Sequence, residues 1–111
     1  MSDTEWWKCE KEIARKAIKV AYGREQQAIL EDIRKRISEV NDLAELWRFQ
    51  EYLTEKRIEI GEKYDYRYSV LDFFFARLIW EGWLQEEELE GLADEKLDEI
   101  RRNTLFLKGG D

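Results

Sequence analysis

Two sets of side chains in this sequence have the types and spacing to do chemistry: Trp47 with Gln50, Glu51, Thr54 and Arg57, and the run Glu86, Glu87, Glu88 and Glu90. Read as a helix at about 100° per residue, the first set falls within about 120° of arc. Tryptophan and arginine are the side chains most enriched in protein-binding hot spots, and a neighbouring carboxylate sets orientation more than affinity. The same spacing also fits a half-buried Trp47 beside a solvated helix, with Glu51 paired to Arg48 and Glu55 to Lys56. Glu51, Glu55 and Glu59 stack at four-residue steps and repel by roughly a few tenths of a kcal/mol per pair, which favours an acidic face kept for another use. The second set lacks the spaced oxygen ligands and the glycine of an EF-hand loop. It reads as a solvated helix face.

Covalent chemistry finds little support. The chain has no histidine and one cysteine, Cys9. Ser-His and Cys-His nucleophile pairs are therefore impossible. Zinc sites built on Cys and His are excluded as well, and so are the Glu-x-x-His pairs of di-iron bundles. Gly109-Gly110 has no strand or helix around it to cradle a phosphate. The expectation is no enzyme, no cofactor and no metal. The segment ARLIWEGWLQEEELEGL has the outline of a helix-turn-helix, but its second helix would present four glutamates to DNA. With 19 basic and 26 acidic residues the net charge is −7, so a nucleic-acid backbone is not the expected partner.

The elements that must position the first set are helical. The 111 residues suffice for one domain; 41% are charged, 14% are aromatic and none is proline. A single cysteine and the lack of an apolar run after a basic start suit a cytoplasmic protein. Ser2-Asp3-Thr4-Glu5 has the form of a capping box. Beyond it, Ile13, Ala17, Ile18, Ala21, Ala28, Ile29, Ile33, Ile37 and Val40 recur at helical steps up to about Glu39. Asn41-Asp42 supplies a turn and cap for a second helix, Leu43 to about Ile60, with Leu46, Phe49, Leu53 and Ile60 as its buried stripe. Gly61 is a plausible hinge. The stretch from Tyr64 to Leu84 is apolar nearly all round, is too short and too charged to span a membrane, and reads as a core helix. A short acidic helix, Gln85 to Glu90, follows, and Asp94 can cap a last helix to about Asn103 that buries Leu97 and Ile100.

The expected fold is all-α, a single domain with a helical stalk and dimerisation region over 1–60 and a small helical head over 61–108. At 1.5 Å per residue the first helix reaches roughly 50–55 Å. A compact domain of this length is about 26 Å across. Much of the apolar stripe therefore calls for a second copy, unless the helix breaks at Gly23 and folds back on itself.

The run from Leu46 to Leu92, LWRFQEYLTEKRIEIGEKYDYRYSVLDFFFARLIWEGWLQEEELEGL, resembles the fluorescence recovery protein family of cyanobacteria. The block KYDYRYSVL, followed by FARL and EGWL, is its most specific part. The resemblance implies an all-α homodimer that binds the photoactivated orange carotenoid protein, mainly through that protein's C-terminal domain. Such a regulator speeds the return to the orange form and detachment from the phycobilisome, without covalent chemistry. It implies functional roles for Trp47 and Arg57, a partner contact at Phe73 and a dimer contact at Leu46. Gln50 and Glu51 stand where the family usually carries histidine and aspartate. The expected partner face is Trp47, Gln50, Glu51, Thr54, Arg57 and Phe73; the expected dimer interface is Leu46, Leu43, Leu53, Ile33 and Ile37. A helical adaptor with a different protein partner is the alternative.

Overall fold

Small residues decide how the first helix packs. In the computed structural model, which describes residues 6–109, Ala14, Ala17 and Ala21 lie buried along one side of a 31-residue helix, α1 (Lys8–Ser38). Gly23 sits inside α1 with no neighbour near its missing side chain, and the helix runs through it unbroken. One glycine costs about 1 kcal/mol, which a long helix of good formers absorbs. The fold-back alternative is thereby excluded. The Ser2–Glu5 capping box lies outside the described residues.

Beyond α1 come α2 (Leu43–Lys63), α3 (Leu71–Glu81) and α4 (Asp94–Leu107), with 3-10 turns at Tyr68–Val70 and Glu86–Leu89. Two compact units result: residues 6–25 with 67–109, and residues 26–66. Helix α1 contributes to both.

In the first unit, α3 packs on α4 around the fully buried Leu71, Phe75, Leu78, Leu89 and Ile100. Trp6 is buried there too, its ring 6.0 Å from Tyr68 and 6.4 Å from Phe75. The expected core helix, Tyr64 to Leu84, is shorter than its apolar run. Helix α2 continues through Gly61 to Lys63, so Gly61 is no hinge, and the Tyr64 N–H donates to the Ile60 carbonyl at its end. Nor is α3 sealed on all sides: Leu71, Phe74, Phe75 and Leu78 face inward, while Phe73 and Trp80 are about half exposed. Gly82, at φ 93°, ends α3 by donating to Ile79, and Trp83 donates to Leu78 at 2.9 Å. That left-handed turn favours glycine.

The acidic segment forms a 3-10 turn instead of a helix. Gln85 and Glu88 cap it reciprocally. Gly91, at φ 111°, passes so close to α1 that a Cβ there would lie 2.5 Å from Ile13 Cδ1. Asp94 is the first residue of α4, not its cap; Ala93 holds the cap position and offers no side-chain oxygen. Another donor at this end is met from α1: Glu10 Oε2 accepts the N–H of the cap residue Ala93 at 2.9 Å, while the Ala93 carbonyl takes the Lys96 and Leu97 N–H groups. Ile100 is buried as expected, Leu97 only partly, and α4 runs past Asn103 to Leu107.

In the second unit, the C-terminal half of α1 and α2 form a hairpin. Asp42 accepts the Glu45 N–H at 2.8 Å, and Glu45 in return accepts the Asn41 N–H at 2.7 Å. This reciprocal cap fixes the turn. Tyr52 joins the helices: its hydroxyl donates to Asp32 at 3.0 Å, and the Arg36 guanidinium lies 4.5 Å from its ring centre. The hydrogen bond from Arg36, with that from Tyr52, holds the Asp32 carboxyl below the usual range.

Candidate protein-binding surface

Helix α2 turns Phe49, Tyr52 and Lys56 to one side, where Phe49 stacks 5.9 Å from Tyr52 and the Lys56 ammonium lies 5.7 Å from the Tyr52 ring. Helical geometry then places Trp47, Gln50, Glu51, Thr54 and Arg57 away from that cluster. All five are exposed, Trp47 by 55%. Ile58 shares this face, about half exposed, and the exposed Leu43 lies at its border with Leu46. Trp47 keeps about half of its surface open, and Lys56 pairs with Glu59 at 3.4 Å instead of Glu55. An indole, two aliphatic side chains, a carboxylate and a guanidinium side by side suit recognition of a protein surface.

Of the residues expected at a dimer interface, Leu43, Leu53 and Ile37 are exposed, and Ile33 and Leu46 half-buried. All lie in the same unit as Trp47. Phe73 belongs to the other unit. There it lines a groove of about 640 Å³ with Trp7, Ser69, Val70 and Asp72 on one wall and Glu95, Lys96, Glu99 and Arg102 of α4 on the other.

Sequence reasoning missed the groove and the group behind it. Glu10 is buried, with Oε1 accepting the Trp7 N–H at 3.1 Å and the Lys96 ammonium at 3.0 Å, besides the Ala93 contact of Oε2. Burial raises the Glu10 carboxyl pKa, but the hydrogen bonds from Ala93, Trp7 and Lys96 outweigh it and hold the group below its ordinary value. Lys96 also lies 4.8 Å over the ring of the buried Trp6, so one ion pair touches both that ring and the backbone of Trp7, which lines the groove. The available signal was phase: Glu10 falls on the same three-and-four-residue steps as Ala14, Ala17 and Ala21. A second clamp holds the turn after α3. Arg24 donates twice to Glu88, at 2.8 and 2.7 Å, and once to the Trp83 carbonyl at 3.0 Å. The hydrogen bond from Arg24, with the Gln85 backbone N–H, keeps Glu88 below the usual carboxyl range.

Among the described residues, no group of three or more Cys, Asp or Glu side chains is placed to hold a metal, and no helix is long and apolar enough to cross a membrane. Residues 6–104, spanning both units, match the family described as photoprotection regulator fluorescence recovery protein. The chain belongs to the fluorescence recovery protein family. The fluorescence recovery protein of Synechocystis is 36% identical over 100 residues, covering 90% of this chain and 92% of that one. Its solved structure superposes with a TM-score of 0.82 over 89% of this chain and 97% of the other. The fluorescence recovery protein structure from Fremyella diplosiphon is 44% identical, with a TM-score of 0.79 over 87% and 95%. This member of the family shares its all-α architecture, and its broad role is regulation of photoprotection.

Proposed function

We propose that this protein binds the photoactivated orange carotenoid protein, mainly through that protein's C-terminal domain. Binding accelerates the red-to-orange return and detachment from the phycobilisome on the cytoplasmic side of the thylakoid, ending photoprotective quenching. The observation that carries this reading is the exposed α2 face of Trp47, Glu51 and Arg57 in a chain of this family. Gln50 and Thr54 complete that face, and Phe73 offers a second contact. No covalent step or cofactor is needed. A regulator speeds a conformational return by binding the transition between two states more tightly than the starting state.

The active species in this proposal is a homodimer built on the stalk, with Leu46 at its centre and Leu43, Leu53, Ile33 and Ile37 beside it. The exposure of Leu43, Leu53 and Ile37, beside the half-buried Leu46 and Ile33, supports that assignment. The decisive experiment photoactivates the carotenoid protein, adds this chain and times the decay from red to orange. Acceleration that Trp47→Ala or Arg57→Leu reduces about tenfold or more, with helical circular dichroism unchanged, supports the reading. An unaltered decay at saturating concentration rejects it. Leu46→Glu should shift elution to the monomer position, and an unshifted elution rejects the interface.

A further inference from the structure

The N-terminal half of α1 carries a charge pattern that the α2 face leaves unused. Lys8, Lys11, Arg15 and Lys19 follow one another at three- and four-residue steps. They fall within about 80° of arc and form a straight cationic rail about 16 Å long. Lys8, Arg15 and Lys19 are exposed, and the Lys11 ammonium rests 5.1 Å over the Tyr68 ring. Glu12 is the acidic residue on this face. In a chain of net charge −7, four cations against the single carboxylate of Glu12 on this face are a local inversion of the field.

The rail begins beside Trp7, 63% exposed, and Trp7 lines the same groove as Phe73. Both lie in the first unit, and Trp7, next to Lys8 in sequence, joins the cationic line to a groove in which Val70 and Phe73 supply the apolar part and Asp72, Glu95, Lys96, Glu99 and Arg102 the charged part. The groove's other wall alternates Glu95 and Glu99 with Lys96 and Arg102, a mixed pattern that matches protein side chains of both signs better than a uniformly anionic lipid surface. A protein edge bearing carboxylates at helical or strand spacing suits both parts: an apolar side chain against Val70 and Phe73 flanked by polar groups in the groove, and acidic groups for the rail. We infer that the partner surface extends from Phe73 past Trp7 along Lys8, Lys11, Arg15 and Lys19, and that this rail steers in an acidic face of the carotenoid protein.

This inference rests on the proposed partnership, and its test separates the two. Stopped-flow association with the photoactivated carotenoid protein is measured from low to high salt for three proteins. These are the unsubstituted chain, the rail variant Lys8→Gln/Arg15→Gln/Lys19→Gln, and a control of equal net charge, Arg34→Gln/Lys35→Gln/Lys108→Gln. The rail variant should associate about tenfold more slowly at low salt, with the gap closing near 0.5 M salt where screening is short-ranged. The control should stay within about twofold of the unsubstituted chain. Equal slowing of rail variant and control, or no salt dependence, overturns the rail but leaves the partnership standing. Failure of the unsubstituted chain to bind overturns both. Co-sedimentation with phosphatidylglycerol vesicles that only the rail variant loses, with protein association unchanged, would reassign the rail to a lipid surface and overturn the inference.

Discussion

Replacing Glu10 by glutamine keeps the size of the side chain and removes one acceptor. Glu10 uses both carboxylate oxygens: Oε1 serves the Trp7 N–H and the Lys96 ammonium, and Oε2 serves the Ala93 N–H. An amide has one oxygen, so its NH2 must face one of these three donors. Lys96, its side chain 12% exposed, would be left as a nearly buried charge without its counter-ion. Removing one partner of a buried pair costs about 3–5 kcal/mol, and the residual access of Lys96 to solvent puts Glu10→Gln at about 3 kcal/mol. For a chain of this size that lowers the melting temperature by about 12–24 °C. Urea unfolding followed by circular dichroism at fixed protomer concentration measures the loss. Lys96→Met removes the stranded charge while keeping an apolar stem over Trp6, so the double variant should recover at least about 1 kcal/mol of the sum of the singles. A Glu10→Gln loss below about 1 kcal/mol, or strict additivity, would refute the assignment.

The same carboxylate dictates an acid dependence. Its folded-state pKa lies below the ordinary value, so the unfolded chain takes up the proton first. The stabilisation is therefore complete above the unfolded pKa, about 4.3, and disappears as pH falls through the folded value. Stability measured from about pH 6 to about pH 3 should fall less steeply in Glu10→Gln than in the unsubstituted chain.

Gly91→Ala should destabilise by about 1–3 kcal/mol in the same assay, because φ 111° is strained for alanine and the new Cβ would press on Ile13 Cδ1. Gly23→Ala should instead stabilise by about 0.5–1 kcal/mol, since its site is open and helical; a loss would show that the bend tolerance of α1 matters. Tyr52→Phe should cost about 0.5–1.5 kcal/mol by removing the bond to Asp32, and unchanged stability would show that the Arg36 stacking alone holds the hairpin.

Much of this was legible in sequence for identifiable reasons. The end of α1 and the start of α2 follow from punctuation that acts locally: Asp42 as a cap, and Val40-Asn41 as the end of the apolar period. Gly82 likewise marks the end of α3 through its own left-handed backbone. Errors appear where a distant residue supplies what the local sequence lacks. A local reading puts the cap at Asp94, one residue late: the helix starts there after Ala93, whose N–H is held by Glu10, far away in the chain. Apolarity is not helicity: of the run from Tyr64 to Leu84 only Leu71–Glu81 is α-helical, preceded by irregular backbone at 65–67 and the 3-10 turn Tyr68–Val70. The α2 face was readable because a helical surface depends only on spacing. The groove beside Phe73 was not, because its walls come from residues 7, 69–73 and 93–103.

The two units differ in what holds them. The first has a core of its own, with Leu71, Phe75, Leu78, Leu89 and Ile100 inaccessible to solvent. In residues 26–66 the one buried side chain is Lys63, while Leu30, Ile37, Leu43, Trp47, Leu53 and Ile58 are exposed. A helical hairpin of about 40 residues with no apolar core is marginal by itself. Its caps and the Asp32–Tyr52–Arg36 cluster fix the geometry, but exposed links of this kind contribute little to stability. The apolar side chains therefore need a cover, and they divide into two arcs on α2: Leu46 and Leu53 on one, Trp47 and Ile58 on the other. In our proposal a second copy covers the first arc and the carotenoid protein the second. Because both arcs lie on one rigid helix, ordering by either should favour the other, so assembly and partner binding are expected to be thermodynamically linked.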